Sequence, residues 1–309
     1  MPSILTHYLF YKTATNNNED IGIIGTQGPD PFFFYGNAVR ITKRAKELRA
    51  FGIFLHKQDP AVTFKYILEY ILGSEKSDRP ILINYTKGML AHYILDRNCH
   101  PYIFYKSGFV TDEDKDTFKY FKNHANIESG IDVLLMDHFK NTTRTYEAVR
   151  FNKHDLKVVS KMIYSLGKGC YKNKYIKENS FYKATKSMRF VNKVLFDKNG
   201  KKKEFFDKKL GFTPASPMCQ PQLKDIKLDF LNLNHEPWRD CVTNENERKD
   251  DFYTLFNNAL EEYKKDVAIF NKVLDSKEKP SIVNTMFDEI DHNGFKVDAK
   301  MKYFDSFYK

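Results

Sequence analysis

The sequence is poor in three features that would direct it to particular classes of protein. It has only 14 glycines in 309 residues. This is below the average usage of about 7%, and the scarcity argues against a turn-rich β architecture. No apolar run approaches the roughly 20 residues of a transmembrane helix, so we expect no membrane-spanning segment. The first ten residues lack a basic stretch and a small-residue cleavage site, which predicts a cytoplasmic protein.

Cysteine is also scarce and is not clustered. The four cysteines, Cys99, Cys170, Cys219 and Cys241, include no Cys-x-x-Cys pair. Disulfides and a thiolate zinc site are therefore disfavoured, and we expect reduced, buried thiols.

Aromatic and basic residues, in contrast, are abundant. The 27 phenylalanines and 19 tyrosines predict a strongly aromatic core. The formal charge of +10 suits anionic partners such as phosphate esters, anionic lipid surfaces or nucleic acid. Lysine-rich solvated helix faces would give the same charge, so it does not choose between partners.

Helical periodicity dominates the chain and predicts an all-α fold. Proline in the first turn after Asp59 and after Asp78 marks two helix starts. The predicted helices are Ala61 to Leu72, Asp78 to Cys99, Thr111 to Phe139, Asp155 to Gly167, Tyr175 to Phe196, Glu245 to Leu274 and Ser281 to Ile290. The segments 32–34 and 203–210 are the only strand candidates.

The predicted organisation is a single helical domain over residues 1–309. Chemistry-bearing motifs fall in residues 1–140, and residues 141–309 complete the helical body. A proline-rich stretch at 213–221 is predicted to be a long connection over the surface of this body.

Several histidines are spaced for chemistry. His92 and Asp96 are four residues apart on a predicted helix, and His100 follows after four more, so one face carries all three. Pro101 is expected to end that helix. His124 and Glu128 repeat the four-residue spacing on the next helix. Because buried carboxylates need a cation or a hydrogen-bond network, this pattern predicts a metal site between helices. Imidazole nitrogens mixed with carboxylate oxygens suit zinc.

Taken in order, the motifs resemble those of the zinc-dependent phospholipase C family, whose all-helical fold is shared with single-strand-specific zinc nucleases. The resemblance covers about residues 1–140 and rests on His7, Gln27-Gly28-Pro29-Asp30, His56, His92-Tyr93 with Asp96, His100-Pro101, and His124 with Glu128. It implies a multi-helix bundle with up to three zinc ions in a cluster between helices. For the first ion, the implied ligands are Asp30, His56 and His92. Asp96 would bridge from this ion to a second ion, which His7 would also hold. The implied ligands of the third ion are His100, His124 and Glu128.

The chain departs from this family at its N-terminus. The secreted members use an N-terminal tryptophan as the remaining ligand, whereas the only tryptophan here is Trp238. Removal of Met1 would leave the secondary amine of Pro2 five residues from His7. We therefore include the Pro2 amine as a candidate metal ligand that could replace the tryptophan.

The resemblance implies a zinc-dependent phosphoric diester hydrolase that uses zinc-activated water, with Asp30 as both ligand and general base. Phospholipid at a membrane surface is the first substrate class, and nucleic acid or a nucleotide is the second. The aromatic run Phe32 to Tyr35 could line an apolar substrate pocket or pack in the core. A non-catalytic metal-binding protein is the third alternative.

The other motifs favour simpler interpretations. His154-Asp155 resembles the dyad of the HD-domain phosphohydrolases, but Asp155 stands where a helix begins and is explained by capping. A ferritin-like di-iron bundle would need more glutamates than histidines, and the opposite holds here. His138 is a weak ligand candidate on the face of His124, and His235 and Trp238 are expected to pack a loop against the body.

Overall fold

The structure is a computed structural model that describes residues 4–15, 19–36, 42–111, 115–209 and 215–308. Within these ranges the regular secondary structure is helical, and the only β pairing consists of two isolated bridges, Trp238 with Arg248 and Ile290 with Lys296. The predicted all-α class is therefore confirmed. The α-helices are α1 (Ile4–Thr15), α2 (Asp20–Gly25), α3 (Lys43–Lys57), α4 (Pro60–Gly73), α5 (Arg79–Ser107), α6 (Lys119–His138), α7 (Lys153–Ser165), α8 (Ser180–Leu195), α9 (Lys201–Lys209) and α10 (Phe252–Leu274).

Helix α5 is the central element. Its 29 residues span about 43 Å at 1.5 Å per residue, and it packs against α1, α2, α4, α6, α7 and α10. The contact with α2 is backbone to backbone, because a Cβ added at Gly88 would lie 2.0 Å from the carbonyl oxygen of Gly22. This close approach holds the segment after α2 against the middle of α5.

Proline at position 101 does not end α5, contrary to the prediction. The helix continues to Ser107 and ends where Gly108 adopts a φ of 76°. Proline inside a helix costs about 3 kcal/mol. Tyr102 and Ile103 directly after it are buried in the core, and their burial offsets that cost.

Other helices also begin or end at residues that differ from those predicted from the hydrophobic periodicity. The sixth predicted helix begins at Phe252 instead of Glu245, because the side chain of Asp251 caps it by accepting from the Thr254 N–H. In the described residues after Thr111, a 3₁₀ turn precedes α6. The helix predicted from Tyr175 begins at Ser180, and the last predicted helix is a 3₁₀ turn, Pro280–Thr285.

Neither strand candidate is a strand. Residues 32–34 belong to the 3₁₀ turn Asp30–Phe34, and most of 203–210 belongs to α9. In the proline-rich connection, positions 213 and 214 lie outside the described residues, and a turn follows from Ala215.

The core is aromatic, as predicted. One hydrophobic cluster runs through the helices from Ile4 to Phe287 and contains fully buried rings such as Phe10, Phe64 and Tyr85. All four cysteines are free thiols. None of the described helices combines the length and the apolar character that crossing a bilayer requires.

Candidate metal-binding site

The structure brings together all eight described side chains that the resemblance implies as ligands. His7 lies on α1, Asp30 begins the 3₁₀ turn after α2, and His56 lies in the last turn of α3; His92, Asp96 and His100 lie on α5, and His124 and Glu128 lie on α6. Their ligand atoms form three groups in which every atom lies within 4.8 Å of the others: His7, His92 and Asp96; Asp30, His56 and His92; and His100, His124 and Glu128. Pro2 lies outside the described residues.

Helical spacing accounts for five of the eight positions. His92, Asp96 and His100 lie on one face of α5, and each is at most 7% exposed. His124 and Glu128 lie on one face of α6, which packs against α5. The chain therefore presents two His–carboxylate faces to each other across one helix interface.

The group Asp30, His56 and His92 has both imidazoles fixed by backbone carbonyls. Nδ1 of His56 donates to the Gly52 carbonyl oxygen at 2.8 Å, and Nδ1 of His92 lies 3.1 Å from the Thr26 carbonyl oxygen. Because a carbonyl only accepts, each Nδ1 carries the hydrogen. Nε2 of each ring then faces the other members of the group, the arrangement typical of metal-binding histidines. Nε2 of His56 lies 3.1 Å from Oδ1 of Asp30.

The group His7, His92 and Asp96 is centred on the Asp96 carboxylate. Nε2 of His7 lies 3.1 Å from Oδ1, and Nε2 of His92 lies 3.1 Å from Oδ2. The Nε2 atom of His100 is 3.7 Å from Oδ1. Asp96 therefore lies near members of all three groups, because His92 also belongs to the group of Asp30 and His56, and His100 belongs to the third group.

The group His100, His124 and Glu128 shares one carboxylate oxygen. Nε2 of His100 and Nε2 of His124 lie 3.3 and 3.2 Å from Oε1 of Glu128. Nδ1 of His100 donates to the carbonyl oxygen of His292 at 2.6 Å. A backbone carbonyl therefore orients this ring too, with its Nε2 towards the group.

Electrostatics keep the three carboxylates ionised. Burial raises the pKa of Asp30 and Asp96, but the neighbouring imidazoles outweigh it and hold each pKa below its usual value. The pKa of Glu128 is also held well below its usual value, against the effect of its burial. Burial lowers the pKa of His100, yet the charges of Asp96 and Glu128 raise it to about 9. In the metal-free protein at neutral pH, His100 is therefore positively charged beside these buried carboxylates.

The contact of His92 with Asp96 is compatible with a bound cation. Burial lowers the pKa of His92 to about 4, so the ring is neutral at pH 7. Its hydrogen is on Nδ1, which faces the Thr26 carbonyl. The Nε2 lone pair consequently faces an ionised carboxylate oxygen at 3.1 Å, and this buried atom has no hydrogen-bond partner. A proton or a metal ion between these two acceptors would relieve their repulsion, and imidazole with carboxylate is a donor set that zinc accepts.

A cavity of about 270 Å³ opens on the groups. Its lining includes six of the candidate ligands, His7, Asp30, His56, Asp96, His100 and His124. The rest of the lining is mostly apolar, with Phe33, Ile53, Phe104, Phe109, Val110, Phe121 and Met301, and it includes the exposed Lys57. Of the aromatic run after Asp30, Phe32 and Phe34 are buried in the core and Phe33 lines the cavity.

Sequence reasoning missed one buried histidine beside these groups. His292 is 4% exposed, and its ring centre lies 4.9 Å from that of His56 and 5.5 Å from that of His92. The only local signal is a turn sequence, Asp291-His292-Asn293-Gly294, and a turn sequence does not indicate what the turn contacts.

The histidines that the sequence analysis set aside lie outside the groups. His138 contacts Tyr253 and Phe139. His154 pairs with Asp155 at 3.2 Å with its side chain 72% exposed, and His235 is exposed and bonds to the Lys249 carbonyl. Trp238 is buried and packs its loop against Tyr102 of α5.

No family model, curated protein or solved structure matches this chain. Fold and site by themselves define an all-helical protein whose buried groups of histidine and carboxylate side chains could hold metal ions.

Proposed function

We propose that this protein is a metal-dependent hydrolase of phosphoesters, with zinc as the metal and a phospholipase C-like fold. The observation that carries the proposal is the convergence of three groups of imidazoles and carboxylates on one cavity. Up to three ions would be held by His7, His92 and Asp96, by Asp30, His56 and His92, and by His100, His124 and Glu128. Zinc ions there would supply an acidified water and neutralise the charge of the phosphoryl oxygens.

The protein's own residues would orient the reaction. Asp30 is ionised and lines the cavity, so it can accept a proton from a water beside the phosphorus. The carbonyl oxygens of Gly52, Thr26 and His292 fix three imidazole rings before substrate arrives. Such fixed groups need little rearrangement as charge develops.

The cavity mouth favours a substrate with an apolar part. Ile53, Val110 and Phe121 line the cavity yet are 40–49% exposed. Phe118 stacks on Phe121, with ring centres 5.9 Å apart, and is 52% exposed. Contiguous exposed apolar side chains at the entrance of a site mark a surface for a lipid or another apolar partner. This supports phospholipid as the first substrate class.

Nucleic acid is the second candidate, and the formal charge of +10 is the observation that favours it. A nuclease would stack bases on aromatic side chains beside cations. Lys57 and Phe33 both line this cavity and supply a cation and an aromatic ring.

The test is hydrolysis by untagged protein supplied with zinc, at several pH values. The substrates are a choline phospholipid, single-stranded DNA and an aryl phosphodiester. We expect the phospholipid and the aryl diester to be cleaved, and faster cleavage of DNA would select the nuclease. Zinc binding without cleavage of any of the three would favour the non-catalytic metal-binding protein.

A further inference from the structure

The segment that carries His292 is a tightly bonded turn. Ile290 forms a β-bridge with Lys296. The carboxylate of Asp291 accepts hydrogen bonds from the backbone N–H and from the side-chain amide of Asn293. Gly294 has a φ of 82°, and a Cβ there would lie 2.4 Å from the Arg97 carbonyl oxygen of α5. The turn is therefore built to fit against α5 beside the site.

Two hydrogen bonds tie His292 to two of the metal-binding groups. Its N–H donates to the His56 carbonyl oxygen at 3.1 Å, and its carbonyl accepts from Nδ1 of His100 at 2.6 Å. A third bond holds the turn, because the hydroxyl of Tyr93 donates to the Ile290 carbonyl at 2.9 Å. The backbone of His292 consequently has little freedom to move away from the site.

The imidazole of His292 is buried without any polar partner. Both ring nitrogens lack a hydrogen bond, although the residue is 4% exposed. Its ring lies among those of His56, His92 and Tyr93. A buried nitrogen without a partner is costly, so a residue with only a packing role would be better served by an apolar side chain.

The spacing of the three imidazoles matches that of rings on one ion. Zinc binds histidine nitrogen at about 2.1 Å, and the ring centre lies about 1.1 Å further out, so two rings at a tetrahedral angle have centres about 5 Å apart. The ring centres of His56, His92 and His292 are 4.9, 5.5 and 5.7 Å apart in pairs.

We propose that His292 is a further metal-binding residue, which joins Asp30, His56 and His92 around their ion. The proposal rests on the proposed metal site. The nitrogens of His292 are not part of the group that lies within 4.8 Å, so metal binding must be accompanied by rotation of this ring about its Cβ–Cγ bond, which redirects the nitrogens and leaves the ring centre nearly in place. The rotation leaves the backbone bonds to His56 and His100 in place.

Substitution of His292 by leucine separates binding from packing. Leucine removes a buried polar group, so the metal-free H292L protein should unfold at the same temperature as wild type or higher. If His292 binds the ion, H292L should bind zinc at least about 10-fold more weakly, as loss of groups that support a metal site does. His292→Asn keeps a polar side chain without the imidazole and should weaken zinc binding as well. H154L, which changes an exposed histidine, is the control.

The measurements are zinc titration against a competing chelator, thermal unfolding of the metal-free proteins, and the visible spectrum of the cobalt(II) forms. Weaker zinc binding and an altered cobalt spectrum relative to wild type, in both His292 variants but not in H154L, support the proposal. Zinc affinity and cobalt spectra equal to wild type in both variants overturn it and leave the proposed function standing. Absence of zinc binding by wild type overturns both.

Discussion

The substitution Asp96→Asn tests how far the groups depend on one shared carboxylate. Asp96 lies 3.1 Å from His7 and from His92, and 3.7 Å from His100. Asparagine has nearly the same shape but carries no charge. It should therefore disturb the packing little and remove an anion that lies near a member of each of the three groups.

The size of the effect follows from burial and mass action. In the metal-free protein, loss of one partner of a buried ion pair costs about 3–5 kcal/mol. The removed cost of burying the Asp96 carboxylate offsets part of this, so we expect a loss of about 2 kcal/mol. At free zinc 100 times the dissociation constant, each site stabilises wild type by about 2.7 kcal/mol. If D96N raises that constant 100-fold at a site, the gain there falls to about 0.4 kcal/mol.

The assay is thermal unfolding with a chelator and with added zinc, together with zinc content after dialysis. In a chain of this size, a deficit of about 2 kcal/mol corresponds to about 3 °C in Tm. D155N is the matched control, because Asp155 also pairs with a histidine but at the surface, where such pairs contribute little. A D96N protein with the zinc content and the zinc-induced rise in Tm of wild type would refute the reasoning.

Three further predictions concern other parts of the molecule. Asp132 accepts hydrogen bonds from the backbone N–H groups of Leu5 and Thr6, and burial raises its pKa from 3.8 to about 7. Folding therefore favours the protonated form of Asp132. In the metal-free protein, the stability that this side chain contributes is lost as pH rises from about 4 through 7. In D132N, the free energy of unfolding measured with denaturant should not show this fall between about pH 4 and 7. The same dependence on pH in wild type and D132N would contradict the raised pKa of Asp132. Phe118→Ser at the cavity mouth should slow hydrolysis of phospholipid vesicles several-fold but should not slow hydrolysis of a soluble aryl diester. Phe190 on α8 is similarly exposed, and Phe190→Ser should slow neither reaction. Slower hydrolysis of both substrates by Phe118→Ser would argue against a lipid-facing role. Mass spectrometry of the native protein should find Met1 removed, and retained Met1 would rule out the Pro2 amine as a ligand.

Residue spacing on long helices predicted the part of the site that lies within single helices. The four-residue intervals from His92 to His100 and from His124 to Glu128 place these side chains on shared faces whatever the rest of the chain does. The convergence of His7, Asp30 and His56 was expected only from the resemblance, because they reach the site through tertiary packing of three separate elements.

The first helices show why periodicity failed elsewhere. Helix α1 has buried residues on most of its surface, including Ile4, Thr6 and His7, so it has no polar face to give an amphipathic signal. Helix α2 has only six residues. His292 was missed for a related reason: it contacts His100 across 192 residues, and no local pattern records such a contact.

The prediction that Pro101 ends its helix was wrong, although the local effect on which it rests is real. Proline disfavours a helix through sterics and a lost N–H, which are local effects. The helix continues because Tyr102 and Ile103 are buried against other elements, and this stabilisation is visible only once the fold is known. The same tertiary packing holds His100 in register with His124 on α6.

Elemental analysis of the untagged protein, purified without chelators and dialysed against metal-free buffer, tests the central claim most directly. The arrangement of His7, His92 and Asp96, of Asp30, His56 and His92, and of His100, His124 and Glu128 predicts three zinc ions per chain. Two ions would indicate one unfilled group. A protein that contains no zinc and takes up none on titration would contradict the account.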